Sequence, residues 1–138
     1  MTDPRKAKAP LLSAVVPVYN EGALAQKFIE ALHKELKALS SNVEIVVVDD
    51  GSTDDTVEHV KATCKKLPVK LVAFARNFGK EKAITAGLHH VSGDAVLIID
   101  ADFQHPLGMV KVFFGKWREG FDNVYGVREH RKDQSFLN

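Results

Sequence analysis

Residues 11–18 form a short apolar, partly β-branched run closed by Pro17 and Asn20, which predicts a buried strand. The period then changes. Over residues 22–39, Phe28, Leu32, Leu36 and Leu39 recur at spacings of three and four while Lys34, Glu35 and Lys37 fall elsewhere, predicting a helix with one face on a sheet. Residues 43–48 carry an unbroken Ile-Val-Val-Val run, the pattern of a strand buried on both faces. Gly51 supplies a turn, and Ser52 with Asp55 three positions on resembles a capping box opening a helix striped by Val57, Val60 and Cys64. A third strand follows over 69–74, a loop over 75–79, and a helix whose Ala83, Ile84, Gly87, Leu88 and Val91 share a face until Ser92 and Gly93 stop it. Residues 95–99 predict a fourth strand, Val110, Phe113, Phe114 and Trp117 a helix, and residues 123–127 a fifth strand.

Strands alternating with helices of this length imply an α/β fold with a doubly wound, mostly parallel sheet flanked by helices. Such sheets bind ligands beyond their strand carboxyl ends. Tyr19, Asn20 and Glu21, Asp49 and Asp50, Arg76 and Asn77, and Asp100 and Asp102 all fall at those ends, so loops rich in polar groups converge on one edge.

With 138 residues, 45% of them hydrophobic, the chain suits one compact domain. That domain is expected over 11–138, behind a disordered basic tail over 1–10 in which Arg5, Lys6 and Lys8 lie among prolines. The 19 basic and 18 acidic residues leave a formal charge of +1, so no global field recruits nucleic acid and no nucleic-acid partner is expected. Cys64, the only cysteine, excludes an intramolecular disulfide and reads as a buried core thiol. No apolar run reaches the roughly 20 residues that span a bilayer, so the chain as given is expected to be soluble.

Asp100-Ala101-Asp102 sets two carboxylates two positions apart where an apolar strand ends, close enough to meet one divalent ion, and Gln104 can add a carbonyl oxygen. The bland alternative is a strand end followed by ordinary turn chemistry. Arg76 and Lys80 can neutralise phosphate oxygens, although Lys80 equally suits a helix start in water. His105, before Pro106, reads as a loop residue without an assigned part.

Together the residues from Pro17 to Glu21, the Asp49-Asp50-Gly51-Ser52-Thr53-Asp54 and Arg76-Asn77-Phe78-Gly79-Lys80 segments, Gly93-Asp94, and the segment from Asp100 to Pro106 resemble the successive motifs of family 2 glycosyltransferases, in the dolichol- and undecaprenyl-phosphate branch. The resemblance implies a GT-A fold, an inverting transfer from a UDP or GDP sugar to a polyprenyl phosphate, and Mg2+ or Mn2+ bound through the Asp-x-Asp. It assigns Pro17, Tyr19, Glu21, Val48 and Asp50 to base and ribose, Asp100 and Asp102 to metal and diphosphate, Ala101 to the nucleotide lining, and Gln104 to the metal shell. Arg128 matches an arginine facing the donor diphosphate or sugar; a solvated charge in a basic run is its other reading. Two departures stand out: Leu107-Gly108-Met109 replaces the usual proline and glutamate, and the chain stops at Asn138, where relatives continue into acceptor-side and membrane segments. In that longer context the site is expected at the cytoplasmic face of a membrane, with membrane contact made by segments absent from this chain.

Breaking the bond to a nucleoside diphosphate builds negative charge on the leaving phosphate, which a cation stabilises. A phosphate-monoester acceptor is already ionised and needs no strong base, and none is evident here. A phosphate-accepting signalling receiver also carries clustered aspartates on a doubly wound sheet, but its acidic pair follows the first strand and a lone aspartate the third; here the pairs follow the second and fourth. A polysaccharide-extending transferase and a nucleotide-binding fragment without turnover remain open alternatives.

Overall fold

The computed structural model describes residues 3–126. Strand and helix alternate throughout: β1 (Leu12–Val18), α1 (Ala23–Lys37), β2 (Val43–Asp49), α2 (Thr56–Cys64), β3 (Val69–Ala73), α3 (Lys80–Leu88), β4 (Ala95–Ile98) and α4 (Met109–Arg118). The strands make one four-stranded sheet ordered β3-β2-β1-β4, and each neighbouring pair is parallel. β1 lies inside the sheet and is buried along its whole length, which explains its lack of polar alternation.

Helices cover both faces. Leu12, Ala14, Val16 and Val18 of β1 join Val43, Ile45 and Val47 of β2 in a core sealed by Ala25, Phe28, Ile29, Leu32 and Leu36 of α1, Val60 of α2 and Val110 of α4. Val46 and Val48 point the other way, onto Ala83 of α3. Gly87 lets α3 lie close, since a Cβ there would strike Val15. The sheet order reverses between β1 and β4, and the carboxyl ends of these strands flank the crevice where such sheets bind ligands. Cys64 packs against the main core, and burial pushes its thiol pKa up, in keeping with an inert core thiol.

Several expectations need correction. α2 starts at Thr56, not at a Ser52 capping box: Asp54 accepts the Thr56 N–H at 3.0 Å, while Ser52 is held by Asp49. Leu88 is 44% exposed, because the face of α3 turned to the sheet is the one carrying Ala83 and Gly87. Of the α4 stripe only Val110 is buried. Residues 123–126 form no strand; the backbone at Gly126 lies against Met109 and Phe113 instead of extending the sheet, and Val127 falls outside the described residues. Among the described residues β4 therefore has an open edge.

The basic tail is not loose where it is described. Residues 4–6 form a 3-10 turn, and Arg5 donates from Nε to the Trp117 carbonyl at 2.7 Å and pairs with Asp122, while Arg118 donates to the Arg5 carbonyl at 2.6 Å. The Arg5 guanidinium thus meets the Trp117 carbonyl and the Asp122 carboxylate, partners that composition alone does not suggest.

Candidate functional site

The first two turns are knotted together by their own side chains. Asn20, at φ +50°, donates its N–H to Ser52 Oγ at 2.8 Å, and its Oδ1 accepts the Thr53 N–H at 2.8 Å. Gly22 donates to Thr56 Oγ1 at 2.8 Å. Asp49, buried at the end of β2, accepts both the N–H and the hydroxyl of Ser52. Tyr19, next to Asn20 in this turn, is 44% exposed.

Asp50 ties the second turn to the third. It is 5% exposed, and its Oδ1 accepts the N–H groups of Phe78 at 2.8 Å and Gly79 at 3.2 Å. Its Oδ2 accepts Asn77 Nδ2 at 3.1 Å. A hydrogen bond to an ionised group contributes about 1.5–3 kcal/mol, so this carboxylate sets the entry of α3. Gly51, at φ +78°, allows the close approach: a Cβ there would overlap the backbone of Arg76 and Asn77. Arg76 lies over the Phe78 ring, 4.4 Å from its centroid.

The fourth turn carries the exposed acids. Lys80, first residue of α3, places Nζ 2.6 Å from Asp100 Oδ2. This pair is partly solvated, of the kind that contributes at most about 1 kcal/mol to stability. Ala101 is buried, and Asp102 accepts the Gln104 N–H at 3.0 Å. Between them Phe103, at φ +58°, turns its ring edge onto Phe28 of α1, 5.1 Å between centroids. Across the crevice, burial raises the pKa of Glu21, and the negative charges of Asp102, Asp100 and Asp54 raise it further. Three turns therefore bring acidic groups within electrostatic reach of one another.

The donors facing this region are oxygens, which suits a hard divalent cation. Among the described residues no three His, Cys, Asp or Glu side chains form a metal cage by themselves. The oxygens of Asp100, Asp102 and the Gln104 amide match in kind the ligands that a hard cation takes alongside water and substrate phosphates.

Of the residues singled out in the sequence, Glu21, Lys80, Asp100 and Asp102 come together at the crevice, while Ala101 packs in the main core. Pro17 and Val48 are buried partners in the β1–β2 register, and Val48 packs against Ala83 of α3. Gly93 and Asp94 lie at the opposite end of the sheet, where Asp94 accepts the Leu11 N–H at 2.9 Å and serves the fold. Arg128 lies outside the described residues. Sequence reasoning gave no part to the Asn20 knot, for which an asparagine just past a strand end was the available signal. A groove of about 740 Å3 runs beside β4 from Trp117 to Lys80, Asp100 and His105; it follows the open strand edge and meets the acidic cluster only at its upper end.

The sequence matches the model of glycosyl transferase family 2 over residues 13–138. It is 45% identical over 133 residues to the putative glycosyltransferase CsbB of Bacillus subtilis, covering 94% of this chain and 40% of that protein. It is 40% identical over 127 residues to the bactoprenol glucosyl transferase of Shigella phage SfV, covering 91% of this chain and 41% of that protein. Among solved structures, glucosyl-3-phosphoglycerate synthase from Mycobacterium tuberculosis, in complex with Mn2+, UDP and glucosyl-3-phosphoglycerate, superposes with a TM-score of 0.62. That match is 30% identical and covers 80% of this chain and 40% of the other. The chain thus spans about two fifths of the length of the curated relatives it matches.

Proposed function

This chain belongs to glycosyl transferase family 2, and on that premise we propose that it is the donor-binding part of an inverting transferase moving a sugar from a UDP or GDP sugar to a polyprenyl phosphate, undecaprenyl or dolichyl. The observation that carries this reading is the meeting of Glu21, Lys80, Asp100 and Asp102 at the sheet's switch point. The bactoprenol glucosyl transferase supports the lipid acceptor. The Mn2+ and UDP bound by the structural neighbour support the metal and the donor.

Asp100 and Asp102, with Gln104, would hold Mg2+ or Mn2+. Bound there, the metal neutralises charge that builds on the leaving phosphate. Tyr19, Pro17 and Val48 are assigned to the base, and Ala101 to the nucleotide lining. Glu21 contributes at the ribose, and Asp50 acts by holding the turn from Asn77 to Gly79 in place. Lys80 and Arg76 supply positive charge to the phosphates, and the family motif assigns Arg128 to the diphosphate or sugar. An acceptor phosphate oxygen attacks the anomeric carbon from the face opposite the nucleotide. The bond from that carbon to the diphosphate oxygen breaks, and its electron pair leaves with the nucleoside diphosphate. Because the acceptor is an ionised phosphate monoester, no residue has to remove a proton.

Among the described residues no helix is long and apolar enough to cross a membrane. The acceptor is proposed to be met at the cytoplasmic face of a membrane. The short span relative to its relatives also keeps a second reading in view, in which this portion binds donor without turnover. Titration with UDP and GDP, with and without Mn2+, tests the proposal: metal-dependent binding of either nucleotide is expected, and a folded chain that binds neither contradicts it.

A further inference from the structure

We propose that Lys80 is a resident counter-ion on Asp100, which metal entry displaces and the donor diphosphate then receives, so that metal and nucleotide bind cooperatively. This rests on the reading of Asp100 as a metal ligand. Lys80 Nζ lies 2.6 Å from Asp100 Oδ2, on an oxygen that a divalent ion would use. An ammonium and a divalent ion cannot share that oxygen without repulsion, so the lysine weakens metal binding to the empty site.

The exchange is easy on the lysine side. Its side chain is 57% exposed, and an exposed ion pair holds its partners weakly. The backbone beneath it does not have to move. Gly79, the residue before it, is fixed by Asp50, so the ammonium swings on its own flexible stem from a pinned helix start. A diphosphate presented to the metal brings anionic oxygens to the same place and offers the released ammonium a new partner. Two cations close together repel each other, and the diphosphate supplies the negative charge that lets metal and ammonium stay there together. A lysine that served only to brace the fold would show none of this coupling.

The test compares the wild-type chain with Lys80→Met and Lys80→Arg. Mn2+ binding without nucleotide is followed by the paramagnetic resonance of the free ion, and UDP and GDP binding at saturating Mn2+ by calorimetry. Lys80→Met is expected to bind Mn2+ at least about fivefold more tightly, the scale of one charge pair about 4 Å apart in water, and to bind nucleotide more weakly at saturating Mn2+. Lys80→Arg should stay near wild type in both. Unchanged or weaker Mn2+ binding by Lys80→Met, beside normal binding by the wild type, overturns the counter-ion role alone. Absence of UDP and GDP binding by the wild type at saturating Mn2+ sinks the donor-site reading and the counter-ion role with it. Equal thermal midpoints for the three proteins guard against a folding artefact.

Discussion

Asp50 Oδ1 accepts the Phe78 N–H at 2.8 Å, and through this bond the turn after β2 dictates where the turn after β3 begins α3. The acidic residues thereby divide their work. Asp49 and Asp50 are buried, with the oxygens of Asp49 taken up by Ser52 in its own turn and those of Asp50 by the turn after β3. Asp100 and Asp102 stand at the more open turn after β4 and keep lone pairs for a ligand. Architecture falls to the first pair, and the proposed chemistry to the second.

Replacing Asp50 by Asn keeps the shape but turns an acceptor into a donor facing N–H groups. A loss of about 1–3 kcal/mol is expected, read as a lower urea midpoint, together with faster amide exchange at Phe78 and Gly79. Unchanged exchange at those two amides would show that the turn does not depend on Asp50.

Gly51 and Gly79 both have positive φ, at +78° and +103°, but only Gly51 is crowded. Gly51→Ala is expected to cost about 2 kcal/mol or more, from backbone strain plus overlap with the Arg76–Asn77 backbone. Gly79→Ala meets nothing within 4 Å and should cost less. Chemical denaturation of both variants checks the ranking, and equal losses would count against the crowding argument.

Stability should also fall on acidification through Glu44. Burial pushes its carboxyl pKa up, but hydrogen bonds from Ser13 and Ser92 and the nearby charge of Lys70 outweigh this and hold it below the ordinary 4.5. A lowered carboxyl pKa in the folded state means stability that is present above the ordinary value and lost as pH falls through the folded one. Glu44→Gln is expected to be less stable at neutral pH and to lose less on going to about pH 3. Urea midpoints at the two pH values measure this; parallel losses in both proteins would remove Glu44 from the account.

The sheet was legible in the sequence because its central strands are buried on both faces. The apolar run from Ile45 to Val48 and the run in β1 admit no other placement in a chain of alternating elements. The convergence of Glu21, Asp100 and Asp102 was equally legible, since parallel strands bring their carboxyl ends to one edge. What was not legible depends on contacts between distant residues. Asp50 reads as a ligand group by position, and only its neighbours across the sheet make it a clamp on Phe78 and Gly79. Lys80 reads as a phosphate cation or a solvated helix start; its pairing with Asp100 spans 20 residues. Arg5 reads as part of a loose tail because the carbonyl it meets, on Trp117, lies 112 residues on.

Asp102→Ala bears on the donor-site reading without endangering the fold, because the side chain is exposed and gives up only the Gln104 N–H. Calorimetric titration of this variant and the wild type with UDP and GDP, each with and without Mn2+, should show nucleotide binding that requires the metal in the wild type. The variant should lose that binding while its thermal midpoint stays the same. Equal, metal-dependent affinity in the two proteins would contradict the account.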